Sequence, residues 1–207
     1  KAVDTNVTDA SFGDQHVLFV DNNESLWGMG KKNRIGFFHG SSYATSPTKI
    51  QSGGVSDPEG GYLLSMFIKN DGSLWAVGAN ANGVFGNGTT NWSLSSALKI
   101  RDANVSKVST NTHRTLFVDN NGSLWSSGDN DYGSLGDGTT EDRLSFQQVV
   151  DANVTAVDVS HGQQALFLKS NGSLWGMGRN HKGQLGDANS SNQPTPVEIV
   201  SSGVIAF

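Results

Sequence analysis

The chain has 207 residues, of which 26 are Gly, 26 Ser and 19 Asn, with no Cys, 16% charged residues and a formal net charge of −5. Gly, Ser and Asn are poor helix formers that favour turns, which argues against a helical protein, while five Trp, ten Phe and three Tyr argue against disorder. The absent Cys removes disulfides, thiol nucleophiles and zinc–thiolate sites, no apolar run nears the ~20 residues of a membrane-spanning helix, and the acidic balance speaks against a phosphate-binding surface.

Self-comparison sets the organisation. Ser-Leu-Trp occurs four times, ending at Trp27, Trp75, Trp125 and Trp175, and the same features surround each copy in the same order. At the start, Asp4-Thr-Asn-Val7 corresponds to Asp102-Ala-Asn-Val105, Asp151-Ala-Asn-Val154 and Ser201-Ser-Gly-Val204. Lys1-Ala-Val3 then corresponds to the last strand of an earlier repeat. The first element of a unit is an alternating segment such as Val154 to Ser160, which predicts a half-buried strand. The second is an apolar run: His16 to Val20, Leu64 to Ile68, Arg114 to Val118 and Gln164 to Leu168.

Next come Asn70-Asp-Gly72, Asn120-Asn-Gly122 and Ser170-Asn-Gly172, which predict two-residue type I′ hairpins with positive φ at both central positions. Glu24 replaces the Gly in the first unit and predicts a less ideal turn. Ser-Leu-Trp forms the third strand. A Gly-rich loop follows, and a short strand such as Pro196 to Val200 closes the unit. Four strands in about 50 residues fit a β-propeller blade, and the 3.6-residue period of helical repeats is missing.

The fold class is therefore all-β, a β-propeller of four-stranded blades. One domain over 1–207 is expected, with repeats near 4–53, 54–101, 102–150 and 151–200 and residues 201–207 beginning a further repeat. Trp27, Trp75, Trp125 and Trp175 are expected as buried packing residues between blades, and Leu135 and Leu185 as plugs of the Gly-rich loops.

The string Gly178-Arg-Asn-His-Lys-Gly-Gln-Leu-Gly186 resembles the Gly-x-Asn-x-x-Gly-Gln-Leu-Gly signature of the regulator of chromosome condensation repeat. Gly128-Asp-Asn-Asp-Tyr-Gly-Ser-Leu-Gly136 and Gly78-Ala-Asn-Ala-Asn-Gly-Val-Phe-Gly86 repeat it with one or two changes, and His16 through Gly30 is similar to the family's strand, turn and Trp-Gly tail. The first loop, Gly30 to Gly36, departs from the pattern. The resemblance implies a bacterial-type propeller that scaffolds protein interactions. It also implies a seven-bladed ring, of which four repeats would be a segment. Family members include an exchange factor for a Ran-type GTPase and secreted β-lactamase inhibitors, and the second role fits this chain better.

No catalytic constellation stands out. His16 falls on the family's His position and reads as a hydrogen-bonded structural residue, whereas His113 and His161 lie out of register. A pair of carboxylates of the glycosidase kind stays open among 19 acidic residues. Asp129-Asn-Asp131-Tyr-Gly133 begins like a calcium loop, with Asp129 and Asp131 as candidate ligands, although equivalent positions hold Arg179 and His181 or Ala79 and Ala81. Nine Asn-x-Ser/Thr triplets arise mostly from the hairpins and unit starts and say little about glycans. No cofactor is expected.

Recognition is expected from what the repeats do not share. Trp92, Phe37, Phe38, Tyr43, Tyr132, Arg143, Arg179 and His181 are large or cationic residues in loops, the types that dominate binding hot spots. The leading expectation is a non-enzymatic module that binds a protein partner through variable blade loops, without nucleic acid or membrane insertion. Two alternatives are an assembly module that joins chains or further repeats through open blade edges, and a carbohydrate-binding domain using Trp92. Low charge with abundant Asn, Ser and Thr suggests an extracellular or cell-surface protein of bacterial origin.

Overall fold

A computed structural model describes residues 6–32, 43–160 and 162–206, apart from the side chains of 93–95. The described residues form four antiparallel four-stranded sheets, each a simple meander. The first comprises β1 (Val7–Phe12), β2 (His16–Asp21), β3 (Leu26–Lys31) and β4 (Tyr43–Gln51). The second comprises β5 (Val55–Gly60), β6 (Leu64–Lys69), β7 (Leu74–Gly78) and β8 (Ser93–Arg101). β9 (Val105–Thr110), β10 (Arg114–Asp119), β11 (Leu124–Gly128) and β12 (Arg143–Val150) make the third. β13 (Val154–Val159), β14 (Gln164–Lys169), β15 (Leu174–Gly178) and β16 (Gln193–Val200) make the fourth. Each sheet is one blade, and a short 3-10 turn at Ala81–Gly83 lies between the third and fourth strands of the second.

The chain divides into two compact units, one of residues 1–81 and 91–108, the other of 82–90 and 109–207. Second strands are apolar without alternation because both their faces are covered; Leu64 to Ile68 of β6 is buried throughout. The core of the first unit gathers Leu18, Val20, Leu26, Val55 and Phe67, and that of the second gathers Leu116, Val118, Val154, Val159, Phe167 and Met177. Fourth strands are mostly exposed or half-buried, as in β12.

The hairpins differ from the expected type. Gly72, Gly122 and Gly172 have φ near 76–80°, and Glu24 has 59°, but the residues before them keep negative φ. Gly72 N–H donates to Lys69 O and Lys69 N–H to Ser73 O, the pattern of a type I turn followed by a left-handed bulge residue. The preceding side chains explain the choice. Asp71 and Asn171 accept from the N–H of Ser73 and Ser173 two residues on, an Asx turn that holds the residue before Gly in the right-handed region.

The four repeated Trp are half-buried, not enclosed. Each sits across from a Phe of the second strand (Phe19, Phe67, Phe117, Phe167) in the pairing register. The ring pairs stack nearly parallel with centroids 6.0–6.3 Å apart. Phe67, Phe117 and Phe167 take the buried place, at 1% exposure or less, and the Trp covers them. Its indole N–H needs a polar acceptor, which keeps that edge toward the hairpin. Asp21 and Asp119 supply it in two blades, and Ser73 and Ser173 in the others.

Candidate binding surface

Each Gly-rich loop leaves its third strand through a glycine at φ 99–110° (Gly30, Gly78, Gly128, Gly178). A Cβ at Gly128 or Gly178 would sit against the carbonyl oxygen of His113 or Gln163, so no other residue fits. The loop then folds around a buried Asn. Asn130 Oδ1 accepts from the Leu135 N–H, while its Nδ2 donates to Asp137 and to the carbonyls of Thr139 and Glu141. Asn180 repeats this with Leu185, Asp187 and Asn189. Leu135 and Leu185, 0% and 3% exposed, fill the loop interiors. With the interior fixed by Asn and Leu, the residues flanking the Asn are left to vary.

In the second unit those flanking residues meet. The Arg179 guanidinium lies over the Tyr132 ring, 5.0 Å from its centroid. Its Nε donates to His181 Nδ1 at 3.0 Å and its Nη1 to Gln163 Oε1 at 3.3 Å. His181 and Lys182 are exposed, and Tyr132 and Arg179 half-buried. Partial desolvation, then the charges of Arg179 and Lys182, lower the His181 pKa from its ordinary value, which favours the neutral ring at pH 7. The result is a cation fixed against an aromatic face and backed by a neutral imidazole.

Arg143 braces its own loop, with Nε 2.6 Å from Asp137 Oδ2 and Nη2 donating to Thr139. Burial raises the Asp137 carboxyl, but hydrogen bonds from Thr139 and Arg143 outweigh it and the pKa is lowered. Trp92 and Tyr43 are 49% and 59% exposed and belong to the first unit. Phe37 and Phe38 lie outside the described residues, as do His39, His161 and Lys1 to Val3.

The calcium reading meets a guanidinium instead of a vacant ligand set. Arg114, fully buried, places Nη2 3.2 Å from Asp129 Oδ1 and donates through Nε to the Asp129 carbonyl. Among the described residues no group of three or more His, Cys, Asp or Glu could hold a metal ion. Burial lowers the Arg114 pKa and Asp129 opposes that shift. The sequence marks this pair only faintly. Its one signal was the cationic first residue of an otherwise apolar run, the place where His16 stands in the first blade with Nε2 2.8 Å from Ser65 Oγ.

Residues 171–206 match the family model described as the Regulator of chromosome condensation (RCC1) repeat. Those residues are similar to one regulator of chromosome condensation repeat. The matched repeat includes the loop of Arg179 and His181 and the whole of β15 and β16. No curated protein sequence matches the chain. Among solved structures, human WBSCR16 superposes with a TM-score of 0.81 at 22% identity over 97% of this chain and 56% of its own. Prp20p of Saccharomyces cerevisiae does so with a TM-score of 0.80 at 15% identity, over 96% of this chain and 51% of its own. These likenesses show the β-propeller fold, and the chain spans about half the length of the structures it matches. Gly, Asn and Leu recur in the loops of residues 128–136 and 178–186, whereas Tyr132, Arg179 and His181 differ between them.

Proposed function

We propose that the chain is a non-enzymatic protein-binding module whose contact surface is centred on Tyr132, Arg179 and His181. One observation carries the reading: among the described residues, Arg179 is contacted by aromatic and neutral polar groups and pairs with no carboxylate. Among the arginines, Arg114 and Arg143 each have one. A buried or braced cation without a counter-charge is unfavourable alone and favourable once a partner supplies the charge, and Tyr and Arg are the common anchors of binding hot spots. The solved relative Prp20p is described by its binding to Gsp1p and histones, and it has also been solved bound to Kap60. Net charge −5 favours a protein partner over nucleic acid. The low charge and the Asn, Ser and Thr content favour an extracellular or surface setting in a bacterium.

The test is retention of partner proteins on immobilised wild type against a Tyr132→Ala/Arg179→Ala variant, with Trp92→Ala alongside. Loss of the retained protein with the double variant alone supports this surface. Equal retention by all three removes it, and loss with Trp92→Ala alone moves the contact to the first unit.

An assembly role has its own support. Leu166 is half-buried, whereas its equivalents Leu18, Met66 and Leu116 are wholly buried. On the first sheet Val7 and Phe12 are 52% and 74% exposed, while Val55, Val105 and Val154, the equivalents of Val7, are buried. Two blade faces therefore present apolar side chains of the kind that other blades cover.

A further inference from the structure

Arg179 has five N–H donors, and its loop uses two of them. Nε donates to His181 Nδ1 and Nη1 to Gln163 Oε1. A neutral imidazole that accepts at Nδ1 carries its proton on Nε2. That Nε2 lies 3.4 Å from Arg179 Nη2. Both atoms are then donors, so they cannot bond each other, and each needs an acceptor from elsewhere. Arg179 keeps both N–H of Nη2 and one of Nη1 without an acceptor among the described residues.

The surroundings fit an anion. Lys182 adds a second cation to His181's field. Asp129 is committed to Arg114, and no carboxylate, Asp131 included, lies within ion-pair distance of Arg179 among the described residues. The Tyr132 ring 5.0 Å from the guanidinium, with the two hydrogen bonds, restrains the side chain before a partner binds, which reduces the freedom lost on binding. A planar fork of N–H groups matches a carboxylate in shape and charge.

We infer that Arg179 Nη2 and His181 Nε2 form a two-donor site for a carboxylate, an Asp or Glu side chain of the partner protein. The inference rests on the protein-binding reading above and narrows it to an acidic segment. Arg179 supplies the charge, His181 the second donor, and Tyr132 the platform. The imidazole acts only while its proton stays on Nε2, a state that the hydrogen bond from Arg179 Nε enforces.

The test is a titration of the 15N-labelled protein at pH 7 with an acetylated, amidated hexaglutamate peptide, followed at the His181 ring nitrogens and the Arg179 side chain. The matching hexaglutamine peptide and inorganic phosphate are the comparison probes. Hexaglutamate is expected to give a saturable shift of His181 Nε2 with Nδ1 remaining unprotonated. Hexaglutamine should give none, and phosphate should require at least a fivefold higher concentration. Arg179→Gln should weaken hexaglutamate binding at least tenfold, and Arg179→Lys, which keeps the charge without the fork, at least threefold. Equal shifts with hexaglutamine, tighter binding of phosphate, or unchanged binding by Arg179→Gln would each overturn the inference. If hexaglutamate leaves the site silent while a captured partner still requires Arg179, the carboxylate assignment fails and the protein-binding reading stands.

Discussion

Arg114 and Asp129 show how far single residues can depart from their sequence context. A guanidinium that is 1% exposed has left water and depends on Asp129 for its charge. Removing one member of such a pair costs about 3–5 kcal/mol, because the other is left buried and uncompensated. Asp129→Ala is expected to lower stability in urea unfolding by that amount, while added calcium leaves the wild-type midpoint unchanged. Glu24 is the opposite case. It sits at φ 59° where the other blades have Gly, a conformation that costs an L residue about 1–2 kcal/mol. Glu24→Gly should raise stability by about 0.5–1 kcal/mol once the added chain entropy of Gly is set against that relief. This position was legible in the sequence as a missing Gly in a repeated turn. The Arg114 pair was not, because its carboxylate lies 15 residues away, across a hairpin and at a position that varies between repeats. Tyr132, Arg179 and His181 were legible one by one as unit-specific residues. That they touch depends on the packing of two loops, which no local pattern records.

At the scale of elements, the four hairpins solve one problem in two ways. Where the second strand ends in Asp, the carboxylate takes backbone N–H groups of the turn and the indole N–H of the Trp, as with Asp21 and Asp119. Where it ends in Lys69 or Lys169, a Ser bridges the turn to the Trp and the Lys Nζ lies 4.2 Å from the ring centroid. Burial raises both Asp carboxyls, but hydrogen bonds from Ser25 and Trp27, or from Ser123 and Trp125, outweigh it and lower each pKa below 3.8. The folded-state pKa is depressed, so the stabilisation is complete above the unfolded value and is lost as pH falls through the folded one. The thermal midpoint should hold steady from pH 7 to about 5 and fall steeply below about 4, and Asp119→Asn should be less stable at pH 7 with a shallower acid limb. An acid limb identical to wild type would remove Asp119 from the account. Strand order and blade count followed from the repeat, since apolar runs and turns recur in fixed order. The turn type did not follow, because Asn-Gly also suits a type I turn with a bulge when a side chain caps the preceding residue.

For the whole molecule, the repeat fixes a scaffold and leaves two sets of residues over. One set is apolar and lies on blade faces: Leu166, Val7 and Phe12. If those faces join chains, sedimentation should show concentration-dependent self-association that Leu166→Asp reduces at least tenfold; a monomer at every concentration removes the assembly role. The other set is the Tyr132–Arg179–His181 cluster, which a packed fold does not need and a partner does. Its most direct test is the affinity of a purified, captured partner for wild type and for Arg179→Gln at equal ionic strength. A surface centred on Arg179 predicts at least tenfold weaker binding by the variant, about 1.4 kcal/mol, with an unchanged thermal midpoint. An affinity within twofold of wild type would contradict it.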